Sequence, residues 1–164
     1  MSSSARPQGS PRRIADSRVE ISELVMPEDA NILGSVFGGR VMALIDKAGA
    51  MVAIRHCRTT VVTASVDSID FLSPLKLGDI MNFRARLTQV FSSSMEVRVD
   101  VFGEDPRTGV RELTTTAFVT MVCLGPEGRP VPAPDLLIET AGEKAEAAEA
   151  ARRRKLRLAR RRNS

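Results

Sequence analysis

The sequence predicts an α+β domain in which a curved antiparallel sheet wraps around one buried helix, and three observations predict it. Residues 95–101 alternate strictly, which places Val97, Val99 and Val101 on one face of a strand. Residues 40–55 are apolar nearly all round the helical repeat and rich in small residues, which is typical of a helix buried on most sides. One strand, then this helix, then four strands is an order of elements typical of the α+β class.

The strands are predicted from alternating or β-branched runs that are separated by turn residues. Clusters of proline, glycine, aspartate and serine lie between the later runs, within residues 74–79, 92–94 and 105–109. A sheet of five antiparallel strands follows from this pattern. The predicted strands are 18–25, 61–71, 81–88, 95–101 and 113–124.

Three regions of the chain differ in composition. Residues 1–17, which contain several serines, arginines and prolines, are predicted to be a disordered lead, and residues 18–134 to be the folded domain. Residues 135–164 are predicted to form a charged helix that begins near residue 136 and ends in a basic tail. The acidic residues of this helix come first and its arginines last, which suits the helix dipole.

The bulk composition excludes several classes of protein. The 164 residues are 43% hydrophobic and 27% charged, which is typical of one globular domain. No stretch approaches the roughly 20 apolar residues that a membrane helix needs, so no membrane span is predicted. Cys57 and Cys123 lack metal-ligand spacing, and we expect two buried, reduced thiols in a cytoplasmic protein without a metal site.

The net charge of +4 comes from the end of the chain, where eight arginine and lysine residues lie between positions 152 and 162. Two explanations are open, a solvated helix end or a cradle for phosphate groups of a ligand or a nucleic acid. The chain has no Trp or Tyr, and the tail has no Phe, so bases cannot stack there and no specific nucleic-acid partner is predicted. A solvated end is the better explanation of such a charge run.

A glycine pair, Gly38 and Gly39, stands where the buried helix is predicted to begin. Its backbone N–H groups have no side chain in the way, and the N-terminus of a helix carries a partial positive charge. Such a place is suited to an oxyanion that develops during a reaction. Taken alone, a tight turn is the better explanation, because glycine pairs are common at turns.

Asp46 lies two turns into the predicted helix among apolar and small residues. A buried carboxylate is unfavourable unless it is paired or functional. Lys47 points about 100° away and Arg40 is six residues distant, so neither is a good local partner, and a functional role is favoured. Asn31 precedes the helix, and by itself an ordinary Asx turn explains it.

His56 is the single histidine and lies ten residues after Asp46. That separation places it on the opposite side of the helix and about 15 Å along the axis. A Ser-His-Asp or Cys-His arrangement on this helix is therefore not expected. We interpret His56 as a residue at the C-terminal end of the helix, where the dipole favours it.

The pattern Asn31-x2-Gly34-x3-Gly38-Gly39-x6-Asp46 resembles the hot-dog acyl-CoA thioesterases, both the bacterial YciA-like and the vertebrate cytosolic brain-type enzymes. The resemblance covers roughly residues 18 to 160, and the order and spacing of its parts make it specific. It continues through the motifs at residues 55–57, 62–71 and 94–97, the Gly-x-Pro-x-Pro exit at 128–132 and the charged C-terminal helix.

The resemblance implies a hot-dog fold and the hydrolysis of fatty acyl-CoA to a free fatty acid and CoA, with no cofactor beyond the CoA of the substrate. Two hot-dog domains share a continuous sheet in this family, so a homodimer is expected, with further assembly into a trimer of dimers. The family's catalytic pair corresponds to Asn31 and to the Asp46 of the other subunit. The matching substrate-binding positions are Gly38, Gly39, Ser65, Val66, Asp67, Ser94 and Met95.

The resemblance leads to an expected mechanism of thioester hydrolysis. The N–H of Gly39 would polarise the carbonyl, Asn31 would orient the carbonyl or the water, and Asp46 would act as general base. A nucleophilic Asp46 that forms a mixed anhydride is the main variant. Two other functions are open: a non-catalytic acyl-CoA or nucleotide sensor, and a hydratase or dehydratase, for which His56 is badly placed. The basic tail could likewise hold the phosphates of CoA.

Overall fold

The computed structural model describes residues 9–163, and within them a five-stranded antiparallel sheet packs against one long helix. The strand order is β2-β4-β5-β6-β3, and the helix α1 contacts every one of these strands. The predicted α+β class and the sheet wrapped around a central helix are thus confirmed. The elements are β1 Arg12–Arg13, β2 Val19–Leu24, α1 Gly38–Cys57, β3 Thr60–Phe71, β4 Ile80–Val90, β5 Ser94–Glu104, β6 Arg111–Leu124, β7 Leu136–Leu137 and α2 Ala141–Arg162, with 3₁₀ turns at Ile14–Ser17 and Pro27–Asp29.

The core lies between α1 and the inner face of the sheet. The alternation predicted for β5 is confirmed, because Val97, Val99 and Val101 are fully buried while Arg98 on the other face is not. The helix contributes a stripe that includes Leu44 and Val52. Glycine is needed at position 49, where this stripe meets β6, because a Cβ there would lie 2.9 Å from the Met121 side chain. Packing at this distance fixes the helix on the sheet.

The side of α1 that faces away from the sheet is open in the single chain. Met42 and Ile54 are 46% and 47% exposed, and Asp46 lies between them, also exposed. The expectation that the helix is buried nearly all round, with Asp46 inside, is therefore wrong for one chain. The sheet covers only one face of α1. The apolar residues on the other face therefore have no packing partner among the described residues.

The outer face of the sheet is covered by α2. Thr140 caps this helix by accepting a hydrogen bond from the Glu143 N–H at 3.1 Å. The helix thus begins five residues later than predicted, at Ala141, because Leu136 and Leu137 instead pair with the short strand β1. Glu146 binds Arg86 and Arg98 on the sheet at 2.5 and 3.0 Å.

Residues 12–17, which the sequence assigned to a disordered lead, are ordered. Arg12 and Arg13 form β1 beside β7, and Ile14 is only 1% exposed in a turn that packs on β4 and α1. The first eight residues of the predicted lead lie outside the described part of the chain. One buried isoleucine in a polar segment gives no periodic signal, which is why the sequence did not reveal it.

The cysteine prediction is half right. Cys57 and Cys123 are buried as expected, but they are joined in a disulfide with their Cα atoms 6.7 Å apart, so the prediction of two reduced thiols is wrong. The end of α1 packs on β6, which brings together residues that are 66 positions apart. Among residues 9–163 no helix is long and apolar enough to cross a membrane.

Candidate active site

The start of α1 presents two backbone donors that have no partner. The N–H groups of Arg40 and Val41 both reach the Phe37 carbonyl, and no side chain caps the helix. The N–H groups of Gly38 and Gly39 bond no acceptor in the described chain. At a helix N-terminus these donors share a partial positive charge, so the predicted oxyanion position is geometrically open.

The two glycines differ in what surrounds them. A Cβ on Gly38 would lie 3.3 Å from the Phe71 ring, so the ring packs directly on the backbone of the first helical turn. A Cβ on Gly39 would meet nothing within 4 Å. Gly38 is therefore needed for close approach, whereas Gly39 lies at the open surface where a ligand could reach its N–H.

Asn31 begins the loop that leads to this helix, and its side chain has a defined role there. Its Oδ1 accepts hydrogen bonds from the N–H groups of Leu33 (2.9 Å) and Ser35 (3.3 Å). This is the Asx turn that explains an ordinary loop asparagine. The Nδ2 group, however, has no partner in residues 9–163, so the amide of Asn31 holds the loop with one atom and leaves two N–H bonds for a ligand.

Asp46 has one protein partner, a hydroxyl on the neighbouring strand β3. The Thr63 Oγ1 donates to Asp46 Oδ1 at 2.5 Å. The second carboxylate oxygen, Oδ2, has no partner within the described residues, and the exposed carboxylate faces the open side of α1. The sequence missed Thr63, because the contact joins a helix to a strand 17 residues later and has no local signature.

Gly39 and Asp46 lie about two turns apart on one helix. They are seven positions apart in sequence, with six residues between them, which is about 10 Å along the helix axis. An oxyanion donor contacts the carbonyl oxygen, whereas a general base reaches the carbonyl carbon through a water, so the two groups lie on different sides of the thioester. No hydrogen bond joins Asn31 to Asp46 in the described chain. Within the described chain the three predicted residues are therefore not joined by hydrogen bonds into one cluster.

An apolar groove of about 350 Å³ lies beside the helix start. Phe71 and Leu72 at the end of β3 form one wall and are half exposed, at 53% and 65%. Its walls are mainly hydrocarbon, so it suits an apolar chain. The other lining residues are Ser35, Val36, Gly38, Val41, Ser73, Pro74, Leu75 and Thr115.

The remaining predicted binding residues are spread over the sheet. Val66 is 43% exposed on the edge strand β3, and Asp67 is paired with Arg157 of α2 at 2.8 Å. The Ser65 Oγ is buried and unpaired in the described chain. Ser94 begins β5, and the fully buried Met95 lies in the core, where it has no surface to offer a ligand. None of the five contacts Asp46 or the helix start through a hydrogen bond given by the structure.

His56 is buried and belongs to the core rather than to the site. Its ring Nε2 lies 2.7 Å from the Pro134 carbonyl, which can only accept, so Nε2 carries the proton. The Nδ1 atom is buried and unpaired. Burial lowers the pKa of His56, with the hydrogen bond to Pro134 opposing it, so the ring is held neutral. The prediction that this histidine is not part of a catalytic pair with Asp46 agrees with its position.

The basic residues of the tail have two different roles. Arg153 forms a double hydrogen bond with Glu96 at 2.8 and 3.0 Å, and Arg157 binds Asp67, so these two arginines fasten α2 to the sheet. Arg152 and Lys155 are exposed, as a solvated helix end would be. The solvated explanation is thus right for part of the tail only. No group of three or more potential metal ligands occurs in residues 9–163.

Residues 33–110 match the model of the thioesterase superfamily. The chain is 44% identical over 128 residues to a Bacillus subtilis protein, the uncharacterized acyl-CoA thioester hydrolase YkhA, covering 78% of this chain and 74% of that one. It is 39% identical over 137 residues to the cytosolic acyl coenzyme A thioester hydrolase of Rattus norvegicus. That match covers 82% of this chain but only 36% of the longer rat protein.

Solved structures agree with these relatives. An acyl-CoA hydrolase from Staphylococcus aureus, in complex with butyryl-CoA, CoA and CoA disulfide, superposes with a TM-score of 0.86 at 36% identity and 93% coverage of both chains. An apo-hexameric acyl-CoA thioesterase superposes with a TM-score of 0.88 at 39% identity, covering 92% of this chain and 97% of that one.

Three alanine variants of the S. aureus enzyme have also been solved, at one asparagine, one aspartate and one threonine, the asparagine variant with CoA. In that chain the asparagine and aspartate are 15 residues apart, and the aspartate and threonine are 17 residues apart. Asn31, Asp46 and Thr63 have the same separations.

Proposed function

This chain belongs to the hot-dog acyl-CoA thioesterases of the thioesterase superfamily, and on that premise we propose that it hydrolyses fatty acyl-CoA at a site shared between two copies of the chain. The observation that carries the proposal is the Asp46–Thr63 pair, which lies on an exposed face of α1 about two turns from Gly39. The asparagine, aspartate and threonine that were varied in the S. aureus enzyme support the same three residues here.

The thioester carbonyl is polarised at the start of α1. The free N–H of Gly39 donates to the carbonyl oxygen, with the N–H of Gly38 beside it, and the helix dipole adds to their effect. Asn31 is the second donor, through Nδ2, because its Oδ1 is already used by the loop. The structure therefore supports a role for Asn31 as a hydrogen-bond donor to the carbonyl or to the attacking water.

Asp46 of the other copy activates the water. Its Oδ2 accepts the proton while Oδ1 stays bonded to Thr63, which fixes the orientation of the carboxylate. The water oxygen bonds to the carbonyl carbon, and the resulting oxyanion is held by Gly39 and Asn31. The intermediate then expels the CoA thiolate, which is a good leaving group because a thiol has a pKa near 8.5. Asp46 then gives the proton to the CoA sulfur. The products are a carboxylic acid and CoA.

A direct attack by Asp46 is the variant of this mechanism, and it needs the same residues. Oδ2 would bond to the carbonyl carbon and expel the thiolate, and water would then hydrolyse the mixed anhydride. A single turnover in ¹⁸O-labelled water tests the variant. Label in the side chain of Asp46 shows that water attacked its carboxyl carbon in an anhydride, and so supports the nucleophile.

An unpaired edge of the sheet supports the proposal that a second copy of the chain binds there. In residues 9–163 the long strand β3 pairs with β6 alone, and Val62 and Val66 on it are each 43% exposed. Long edge strands with apolar side chains are normally covered. The exposed Met42 and Ile54 of α1 lie on the open side of the helix. We propose that a second copy covers both surfaces, and that such dimers assemble into a trimer of dimers, as the hexameric relatives support.

The apolar groove beside Gly38 is proposed to receive the acyl chain. Its hydrocarbon walls at Phe71 and Leu72 lie next to the donors that hold the carbonyl. CoA itself is part of the substrate, and the proposed mechanism uses no other cofactor. An acyl-CoA sensor would bind in the same groove without releasing thiol, and this outcome separates the second candidate function from hydrolysis.

The proposed location is the cytoplasm, which rests on the cytosolic names of the rat, mouse and human relatives. The disulfide between Cys57 and Cys123 is an observation against it, because disulfides are rare in the cytosol. Fractionation of the native cells tests the point. Recovery of the protein with the cytosolic fraction agrees with the proposal, and recovery with an oxidising compartment contradicts it.

A thiol-release assay across acyl-CoAs from acetyl to palmitoyl tests the proposed function. We expect CoA release that saturates with substrate and depends on chain length. Tight CoA binding without release from any acyl-CoA in the series would contradict hydrolysis and support a sensor.

A further inference from the structure

Arg40 occupies an unusual place, the first turn of α1 directly after Gly39. A cation at a helix N-terminus opposes the helix dipole, and neither helix propensity nor core packing requires one there. Its guanidinium is instead held by two carboxylates that come from different elements. Arg40 Nε binds Asp29 Oδ1 at 2.9 Å, and Arg40 Nη2 binds Glu23 Oε2 at 2.6 Å.

Asp29 is the residue through which Arg40 reaches the Asn31 loop. Its second carboxylate oxygen accepts the Met26 N–H at 3.2 Å, and its backbone carbonyl accepts the Phe37 N–H at 3.0 Å. Asp29 therefore ties the chain before the loop to the residue that caps α1. The carboxylate is only 12% exposed, so solvent competes little for the bond with Arg40.

The loop between Asp29 and Phe37 is closed on itself. Asn31 N–H donates to the Ser35 carbonyl at 2.8 Å, and residues 30 and 36 form an isolated bridge. The far side of the loop is bonded to residues 75–77, since the Val36 N–H donates to the Leu75 carbonyl at 2.8 Å and the Leu77 N–H donates to the Gly34 carbonyl at 2.9 Å. Asp29 holds the other side, next to Asn31 and the helix start. Glu23, the other partner of Arg40, lies on β2, so the guanidinium links the loop, the helix start and the edge of the sheet.

We propose that Arg40 is a positioning residue for the oxyanion site: its fork to Asp29 and Glu23 sets the distance between the Asn31 amide and the Gly39 N–H. The inference rests on the proposed function, because those two groups are the proposed carbonyl donors. Two donors from different segments act on one oxygen only if the segments keep a fixed separation. Arginine suits the task because its planar fork binds two carboxylates at set angles.

The test compares Arg40→Gln with Arg84→Gln. Arg84 is a matched control because it also pairs with a glutamate of β2, Glu20 at 3.2 Å, far from the Asn31 loop in the sheet register. We expect Arg40→Gln to lower kcat by about tenfold or more with little change in KM, as misplaced catalytic donors do. Arg84→Gln should match the parent. A kcat for Arg40→Gln within twofold of the parent would overturn the inference.

A double variant shows whether Arg40 acts through Asp29. Asp29→Asn keeps an acceptor for the Met26 N–H and removes the charge that Arg40 binds. If the two residues act as a unit, Arg40→Gln with Asp29→Asn should lose no more kcat than the worse single variant. Losses that multiply would show that Arg40 acts by another route and would refute the proposal.

Hydrogen exchange measured by mass spectrometry makes the test independent of activity. The amides of residues 31–37 should exchange faster in Arg40→Gln than in the parent or in Arg84→Gln, because the loop loses its side-chain anchor on the Asp29 side and keeps only its backbone bonds to residues 75–77. Unchanged exchange refutes the positioning role even if the enzyme is active. Conversely, a parent that releases no thiol from any acyl-CoA refutes the proposed function, and the exchange rates still decide the structural part.

Discussion

The Thr63 hydroxyl donates to Oδ1 of Asp46 across the gap between β3 and α1. One carboxylate oxygen is thereby fixed and the other is left to act on a ligand. The bond links the proposed base to the same edge strand that offers its unpaired side to a second copy. Covering that edge would therefore enclose the base.

Replacing Thr63 by valine should lower kcat by about 10- to 100-fold, since a hydrogen bond to a charged group contributes about 1.5–3 kcal/mol. Valine keeps the shape of threonine and removes the donor. Thr63→Ser retains the hydroxyl and serves as the control, with activity near that of the parent. Equal activity in the valine and serine variants would show that the bond has no catalytic role.

Asp46→Asn should reduce thiol release by at least about 100-fold, the usual contribution of a general base. Because Asp46 is exposed and Thr63 can still donate to the amide oxygen, the fold and the affinity for CoA should be unchanged. Circular dichroism and calorimetric titration with CoA provide these two checks. Turnover close to that of the parent would remove Asp46 from the mechanism.

Mixing two inactive variants should restore activity if each site uses two chains. Asn31→Ala and Asp46→Ala each disable every site of their own homodimer. In an equal mixture that exchanges subunits, half of the dimers are hybrids with one intact site, so about a quarter of the parent activity should return. A site contained within one chain would give no recovery at any mixing ratio.

Arg153→Met should destabilise the fold, because Glu96 is fully buried and Arg153 is its charged partner. A buried charge left alone costs about 3–5 kcal/mol, which urea unfolding can measure. Adding Glu96→Gln removes the unpaired charge and should recover much of the loss. Arg152→Ala at the exposed neighbouring position should change the free energy of unfolding by less than about 0.5 kcal/mol.

Stability should fall as the pH drops below about 6.5, the ordinary pKa of histidine, because burial lowers the pKa of His56 in the folded state. Above that pH the ring is neutral in both states. Below it the unfolded chain binds a proton that the folded chain does not, so the free energy of unfolding decreases by up to about 1.4 kcal/mol per pH unit. In His56→Gln this part of the slope should be absent. Parallel pH profiles for the two proteins would contradict the assignment.

Much of the fold follows from local pattern. The alternation of Val97, Val99 and Val101 correctly assigned the faces of β5, and the glycine pair marked the first residues of α1. The exposure of Asp46 could not be predicted in this way. Small and apolar residues surround it in sequence, but burial depends on what packs against a helix face, and no residue of the described range 9–163 covers that face.

The contacts that complete the site are non-local, and for that reason they were not visible in the sequence. Thr63 reaches Asp46 from another element, and Arg40 meets Glu23 and Asp29 across 17 and 11 residues. The role of Asn31 was also not visible in the sequence, because an asparagine in a loop predicts only an Asx turn. The turn is present, and its geometry shows which atom of the amide stays available.

The two helical turns between Gly39 and Asp46 affect how such proteins can diverge. If each site takes its donors from one copy and its base from the other, a tandem fusion of two copies encodes every catalytic residue twice. One Asn31 loop and the opposite Asp46 are then enough to keep a working site. The redundant loop and helix become free to change, so gene duplication could turn one half of the molecule toward regulation without loss of hydrolysis.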